Sequence, residues 1–324
     1  MNKIIKALKA AKSFLIVSHY HPDGDALGSA LALGLALKSS KKEVIIFNRD
    51  PVPFNLKFLP FSKTITNVLP KRSFDCAVML DCAQPKRVAT EFAQAVDAKK
   101  FGKLICIDHH LLDQKVGDID WIDPKAASTG CVVYDLLKKM KIKITPEIAN
   151  LVYCTLTVDT GSFRYSNTTA SVFKLAAELL SKGADPWLVA RNLEETNPLA
   201  RYRLLGVSLR SLHVDFNGQY ASMDVAQAML KEANADEGLS DEFANFPRSI
   251  AGVEVSALFR EMNDGKIKVS LRSKTRVDVS KIAKRFGGGG HEHAAGCVIA
   301  SDLASAKKQI AAEVKEKLKI KHQK

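Results

Sequence analysis

The chain predicts an α/β protein: a doubly wound, mainly parallel sheet joined by a helical linker to a smaller α+β domain. Three observations predict it. Short apolar runs alternate with helical patterns through the first 110 residues, polar side chains of metal-ligand type follow several of those runs directly, and beyond residue 205 hairpin patterns take over. Continuous apolar runs separated by helices are how strands covered on both faces read.

The elements follow in order. MNKIIKALKAAKS reads as a helix, not a signal peptide, because no apolar core or small-residue cleavage site follows it. SFLIVS (13–18) is a strand, DALGSALALGLALKS a helix and EVIIFN (43–48) a strand, and CAVML (76–80) and KLICI (103–107) are two further buried strands. From about 126 to 212 the pattern is mostly helical. Ser128-Thr129 cap the helix through CVVYDLLKKM. Pro146 opens the helix through PEIANLVYCTLTVD, which puts Asp159 near its C-terminal end. Pro186 and Pro198 start successive helices. LHVDF and QYASMDV flank Asn217-Gly218, a hairpin signal, and GVEVSALFREM and KIKVSLRS flank Asn263-Asp264-Gly265, a second one. A helix (VDVSKIAKRF), four glycines, the strand CVIA and a last helix complete the chain. The expected division is a catalytic domain over 1–185, a linker over 186–205 and a second domain over 206–324.

Composition sets the class. With 46% hydrophobic and 26% charged residues the chain has ordinary globular content. LALGLAL (31–37) is too short to span a membrane, so a cytoplasmic protein with no membrane partner is expected. The six cysteines show no CxxC spacing and lie in apolar patterns, which points to buried thiols and not to disulfides or a zinc framework. The net charge of +13 suits a polyanionic substrate through long-range steering, although part of it sits in AAEVKEKLKIKHQK, a solvated helix face.

Candidate chemistry gathers in three distant stretches. In HYHPDGD, His19, Asp23 and Asp25 occupy a turn after a strand, with Pro22 and Gly24 supplying the bend. A divalent cation needs several such donors to converge. The competing reading is a solvated Asp-Gly turn in which Asp25 caps the next helix. Gly28 and Ser29 are expected to leave space for an anion near that helix's start, and His21 reads as an outer or surface residue. Asp81 follows a second strand; Arg87, beyond it, reads as a local ion-pair partner. Asp108-His109-His110 follows a third, so that one imidazole can ligate, its neighbour can face a phosphate, and the carboxylate can orient an imidazole. Asp159-Thr160-Gly161 adds a carboxylate at a helix end; Arg164, beyond it, reads as a phosphate or base contact or a structural ion pair. Ligands of open α/β sheets bind outside the carboxyl ends of the strands, near a topological switch point. Asp81, Asp108, His109 and His110 are therefore the catalytic candidates. In the second domain, Gly287 to Gly290 read as a loop that no packing need explains and whose N–H groups can approach an anion. Arg272 and Ser273 are phosphate donors beside it, and His291 adds another. The substrate-binding candidates are His110, Arg272, Ser273, Gly288, Gly289, Gly290 and His291.

HxxPDGD at 19–25, Asp81, DHH at 108–110 and DTG at 159–161 resemble the ordered motifs of the DHH phosphoesterase superfamily, and SLRS with GGGGHEHAAG resembles its DHHA1 companion domain. The likeness runs from about residue 13 to 299. Within the superfamily the chain is similar to the bacterial nanoRNase and 3′-phosphoadenosine-5′-phosphate (pAp) phosphatase group. That resemblance implies manganese-dependent hydrolysis of very short single-stranded RNA to mononucleotides and of pAp to AMP; cyclic di-AMP and linear dinucleotides are the alternative substrates. It further implies one metal held by His19, Asp23 and Asp81 and another by Asp25, Asp81, His109 and Asp159, with Asp81 bridging and His110 facing the scissile phosphate. Arg272, Ser273 and the loop through His291 would grip a terminal phosphate. Asp113 departs from the family, where many members carry Asn. An oxygen-rich donor set with two imidazoles and no thiol favours manganese, with magnesium as the other candidate, over zinc. A homodimer is the candidate assembly. A binding protein that had lost catalysis would lack a ligand, and none is missing.

Overall fold

The computed structural model describes residues 1–110 and 115–318. Two compact units divide at Thr196/Asn197. In the first, α1 (Asn2–Ala10), β1 (Ser13–Val17), α2 (Gly24–Ser39), β2 (Glu43–Phe47), β3 (Ile65–Thr66) and β4 (Cys76–Leu80) are followed by α3 (Pro85–Val88), α4 (Thr90–Asp97), β5 (Leu104–Asp108) and β6 (Ile119–Ile122). Helices α5 (Thr129–Lys139), α6 (Pro146–Asp159), α7 (Ala170–Ser181) and α8 (Pro186–Glu194) complete it.

All its strand pairs are parallel, in the order β3-β2-β1-β4-β5-β6. The chain winds outward from β1 to β3, then returns beside β1 and winds the other way from β4. The switch point thus lies between β1 and β4. Phe14, Ile16, Val78 and Ile107 face a core with α2, α5 and α6, while Leu15, Val17, Ala77 and Met79 face a smaller one with Val88 and Phe92. Both faces are covered, which is why these strands carry no polar alternation. The sheet has two more strands than the apolar runs indicate. β3 is two residues long, and β6 (IDWI) is half-buried throughout, so neither edge produces a continuous apolar run.

The second unit contains α9 (Leu199–Leu209), β7 (His213–Asp215), β8 (Tyr220–Val225), α10 (Gln227–Ala233), α11 (Asn245–Ser249), β9 (Val255–Glu261), β10 (Ile267–Ser273), α12 (Val279–Arg285), β11 (Gly289–His291), β12 (Ala294–Ile299) and α13 (Leu303–Lys317). Its sheet order is β11-β12-β10-β9-β8-β7, antiparallel except for β8 with β9. Both expected hairpins form, β7–β8 and β9–β10. Phe259, Val269, Ile282 and Ile310 build one core, and Met223, Leu258, Leu204 and Phe243 another. Pro186 is the first residue of α8, which packs on α6 in the first unit, whereas Pro198 caps α9 in the second. The expected linker residues therefore divide between the units.

Three expectations are corrected here. The space expected beside Gly28 and Ser29 does not exist. α6 crosses α2 so closely that a Cβ on Gly28 would stand 2.7 Å from Thr155 Cγ2 and 2.9 Å from the Leu151 carbonyl, and the Ser29 hydroxyl donates to Asp25. Nor is the glycine run an open loop. Gly289 and Gly290 pair with Gly296 and Ala295 in a ladder, and a Cβ on Gly288 would lie 2.1 Å from the Gly296 carbonyl. Packing does explain part of that run. Finally, Ser273 is buried. Its hydroxyl donates to the Val277 carbonyl at 2.6 Å and meets His293 Nδ1 at 2.9 Å, so that hydroxyl is committed to holding a turn.

Candidate metal centre

The parallel sheet delivers its polar residues to one edge. His19 comes two residues after β1, Asp81 directly after β4, and Asp108 ends β5, so three adjacent strands end together at the switch point. Asp81 adopts a left-handed backbone (φ 53). Aspartate tolerates this conformation better than most residues, and its strain is characteristic of functional positions.

Asp23 is the N-cap of α2, accepting the N–H of Asp25 and Ala26 at 3.0 and 2.9 Å. Capping thus falls to Asp23, and Asp25 lies inside the first turn, fully buried. The solvated-turn reading fails on that burial. The start of α5 folds over Asp25: Thr129 N–H donates to Oδ2 at 2.7 Å and Gly130 N–H to Oδ1 at 2.9 Å. Asp159 ends α6, and Asn167 donates its amide to the Asp159 and Ala127 carbonyls.

The imidazoles are held by their Nδ1 atoms. His19 Nδ1 donates to the Tyr20 carbonyl at 2.8 Å and presents Nε2 to Asp81 Oδ2 at 3.3 Å. His109 Nδ1 donates to the Ala126 carbonyl at 3.3 Å, and its Nε2 lies 3.1 Å from Asp159 Oδ2, 3.7 Å from Asp81 Oδ1 and 3.8 Å from Asp25 Oδ2. A backbone acceptor on Nδ1 fixes the tautomer that leaves Nε2 as the ligating nitrogen. His110 differs. Its Nδ1 is held by Asp108 Oδ1 at 2.6 Å, and its side chain is 29% exposed, which leaves it at the site's open side.

Charge crowding shows in the acid strengths. Burial, then the charges of Asp159 and Asp81, push Asp25 well above the usual carboxylate range. Burial also lifts Asp159, to about 6, against the pull of its hydrogen bond from His109. Asp81 goes the other way: burial opposes ionisation, but the hydrogen bond from His19 and the charges of His110, His19 and His109 hold it far below the range. Burial disfavours the imidazolium of His19 and of His109, yet hydrogen bonds to Asp81 and Asp159 and the surrounding carboxylates raise them to about 9 and about 11. Burial likewise opposes His110, and Asp108 and Asp81 raise it. Buried acids forced against one another, with imidazoles as their counter-charges, form a set that a divalent cation would stabilise.

Two separate groups of donor atoms converge. One is His19, Asp23 and Asp81; the other is Asp25, His109 and Asp159. Asp81 also joins Asp108, His109 and His110 in a third cluster, and its two oxygens face the two sides: Oδ2 toward His19, Oδ1 toward His109 and His110. All the donors are oxygen or imidazole nitrogen, which fits a hard or borderline cation.

Two expected residues of the first unit stay apart from this cluster. His21 is largely exposed and turns to Asp50. Arg164 Nε donates to the Gly161 carbonyl at 2.6 Å. Asp113 lies outside the described residues. Arg272 and His291 lie in the second unit, on β10 and at the end of β11; Arg272 Nη1 donates to its neighbour's carbonyl, Leu271. Thr129 and Gly130 escape sequence reasoning, because their partner Asp25 lies 104 and 105 residues away along the chain. The Ser-Thr cap before α5 was the one usable signal, and it spoke only of the helix.

A switch-point edge that gathers carboxylates and imidazoles without a thiol has the makings of metal-assisted hydrolysis. The comparisons with known proteins agree. Residues 13–156 match the DHH family, N-terminal domain, and residues 217–319 match the DHHA1 domain. A bifunctional oligoribonuclease and PAP phosphatase NrnA of Thermus thermophilus is 35% identical over 98% of this chain and 94% of its own length. A probable protein of the same name from Streptococcus mutans is 30% identical over 90% of this chain and 91% of its own. Among solved structures, an exopolyphosphatase-related protein from Bacteroides fragilis superposes with TM-score 0.89 at 31% identity, covering 97% of this chain and 95% of that one. The chain belongs to the DHH family, with a DHHA1 domain, and is a phosphoester hydrolase. Among the described residues, no helix is long and apolar enough to cross a membrane.

Proposed function

We propose that the chain hydrolyses oligoribonucleotides of a few nucleotides to mononucleotides, and pAp to AMP, with two manganese ions. The observation that carries this reading is Asp81, whose two oxygens face the two donor groups. His19, Asp23 and Asp81 would hold one cation, and Asp25, Asp81, His109 and Asp159 the other. Bound there, the pair would supply Lewis acidity and lower the pKa of a water. The remaining work falls to the chain. Burial keeps the donors fixed, so little reorganisation accompanies reaction. His110, oriented through Nδ1 by Asp108 and raised toward its cationic form, meets a phosphoryl oxygen through Nε2. In the second unit Arg272 and the strand Gly289–His291 bind a substrate phosphate, with Ser273 supporting the turn beside them. The names of the Thermus and Streptococcus relatives support the substrate class.

The test is turnover of pApA, pAp and cyclic di-AMP by purified protein with manganese. Mononucleotide from pApA and AMP from pAp are expected, both faster than any product from cyclic di-AMP. Preference for cyclic di-AMP would overturn the substrate assignment, and no product from any of the three would overturn the reading.

A further inference from the structure

Segment 128–130, at the start of α5, meets three of the elements that carry the metal centre. Thr129 is fully buried, so it touches no substrate. Its backbone N–H donates to Asp25 Oδ2 at 2.7 Å, and its hydroxyl donates to Asp81 Oδ1 at 3.1 Å. Its neighbours fasten that position to α6. Ser128 Oγ and Thr155 Oγ1 lie 3.0 Å apart, and Gly130 sits so close to Thr155 that a Cβ there would be 2.0 Å from Oγ1.

We infer that Thr129 is a positioning residue for both cations: its N–H fixes Asp25, and its hydroxyl fixes the rotation of the Asp81 carboxylate so that each oxygen faces its own donor group. The inference rests on the two-cation reading above. Oδ1 of Asp81 lies 3.7 Å from His109 Nε2 and 3.4 Å from His110 Nδ1, while Oδ2 lies 3.3 Å from His19 Nε2. Rotating that carboxylate about its Cβ–Cγ bond would spoil both sides at once. The Thr129 hydroxyl is a neutral donor that opposes rotation without adding charge. Hydrogen bonds behind a ligand tune metal affinity in this way.

Thr129→Val deletes the hydroxyl and keeps both shape and N–H, so Asp25 retains its contact while Asp81 loses one. Thr129→Ser keeps the hydroxyl. The readouts are titration calorimetry of manganese into metal-free protein and the electron paramagnetic resonance spectrum of the spin-coupled pair. Thr129→Val should bind manganese about 10- to 100-fold more weakly and lose coupled signal, whereas Thr129→Ser should resemble the wild type. Melting of the metal-free proteins controls for folding, and Thr129→Ala replaces Val should Val not fold. Wild-type affinity and coupling in a hydroxyl-free variant would overturn the inference alone, as would a Ser variant as impaired as Val. A wild type that binds no manganese would overturn the two-cation reading, and this inference with it.

Discussion

Each unit of the molecule buries carboxylates, and the two do it in opposite ways. Glu254 in the second unit is 8% exposed and well satisfied. One oxygen accepts the backbone N–H of Thr275, Arg276 and Val277, and the other accepts the Thr275 hydroxyl. Burial opposes its ionisation, but those hydrogen bonds prevail and hold it below the ordinary glutamate value. In the first unit Asp25, Asp81 and Asp159 are pressed against one another, and their acid strengths are driven apart. Burial alone therefore does not mark a site. An acid surrounded by N–H donors fastens a loop, whereas acids that face one another store repulsion that a bound cation would relieve.

The sharpest way to break that contrast is Asp81→Ala. It removes the carboxylate facing both donor groups, and kcat/KM should fall at least about 10³-fold, which corresponds to about 4 kcal/mol of lost transition-state stabilisation. Circular dichroism should show the fold retained. A folded, metal-loaded variant with near-normal rates would end the bridging role.

Glu254→Ala tests the other side. It leaves three backbone N–H groups without their carboxylate and should destabilise the protein by roughly 3 kcal/mol, given the usual worth of hydrogen bonds to charged groups. Manganese affinity should not change. The sign with pH follows from the depressed folded value: the stabilisation is fully present above the unfolded glutamate's 4.5 and is lost as pH falls through the lower folded one. Denaturant titrations of wild type and variant should converge at acid pH. A gap that stays constant through that range would show that Glu254 acts through packing and not through its charge.

The contrast also explains what the sequence could and could not reveal. The central strands and the residues after them were legible, because a strand covered on both faces is written as an unbroken apolar run and its end is marked by the next polar residue. His19, Asp81 and Asp108 are found that way. The donors that tie the site together were not, since Thr129 and Gly130 reach Asp25 across 104 and 105 residues. No local pattern carries such a pairing. Ser273 was misread although its signal was present. Ile267, Val269 and Leu271 are buried alternately along β10, and the same period of two places Ser273 with them and Arg272 on the other face. The glycine run was misread because a glycine needed for close strand approach looks, in sequence, the same as one needed for a flexible loop.

In the second unit His291 offers an intermediate effect. A charge-assisted hydrogen bond to a substrate phosphate implies that His291→Ala raises KM on a dinucleotide about tenfold with kcat little changed. An unchanged KM would remove that strand from substrate binding while leaving the metal centre as described.

The smallest expected effect lies two residues from a metal-ligand candidate. His21 shares the HYHPDGD stretch with His19, and its spacing reads as that of an outer or surface residue. The structure separates them by environment. His19 is 8% exposed with Nε2 against Asp81, whereas the His21 side chain is 68% exposed with Nδ1 3.4 Å from Asp50. Asp50 is already paired with Arg49 through two hydrogen bonds, and its acid strength is raised further by the His21 backbone N–H. A solvent-exposed pair of this kind contributes about 0–1 kcal/mol. His21→Ala should therefore leave turnover within about twofold of wild type, with its small cost appearing in stability instead. A tenfold loss of kcat at unchanged melting temperature would place His21 in the chemistry and show that exposure is a poor guide to which imidazole serves.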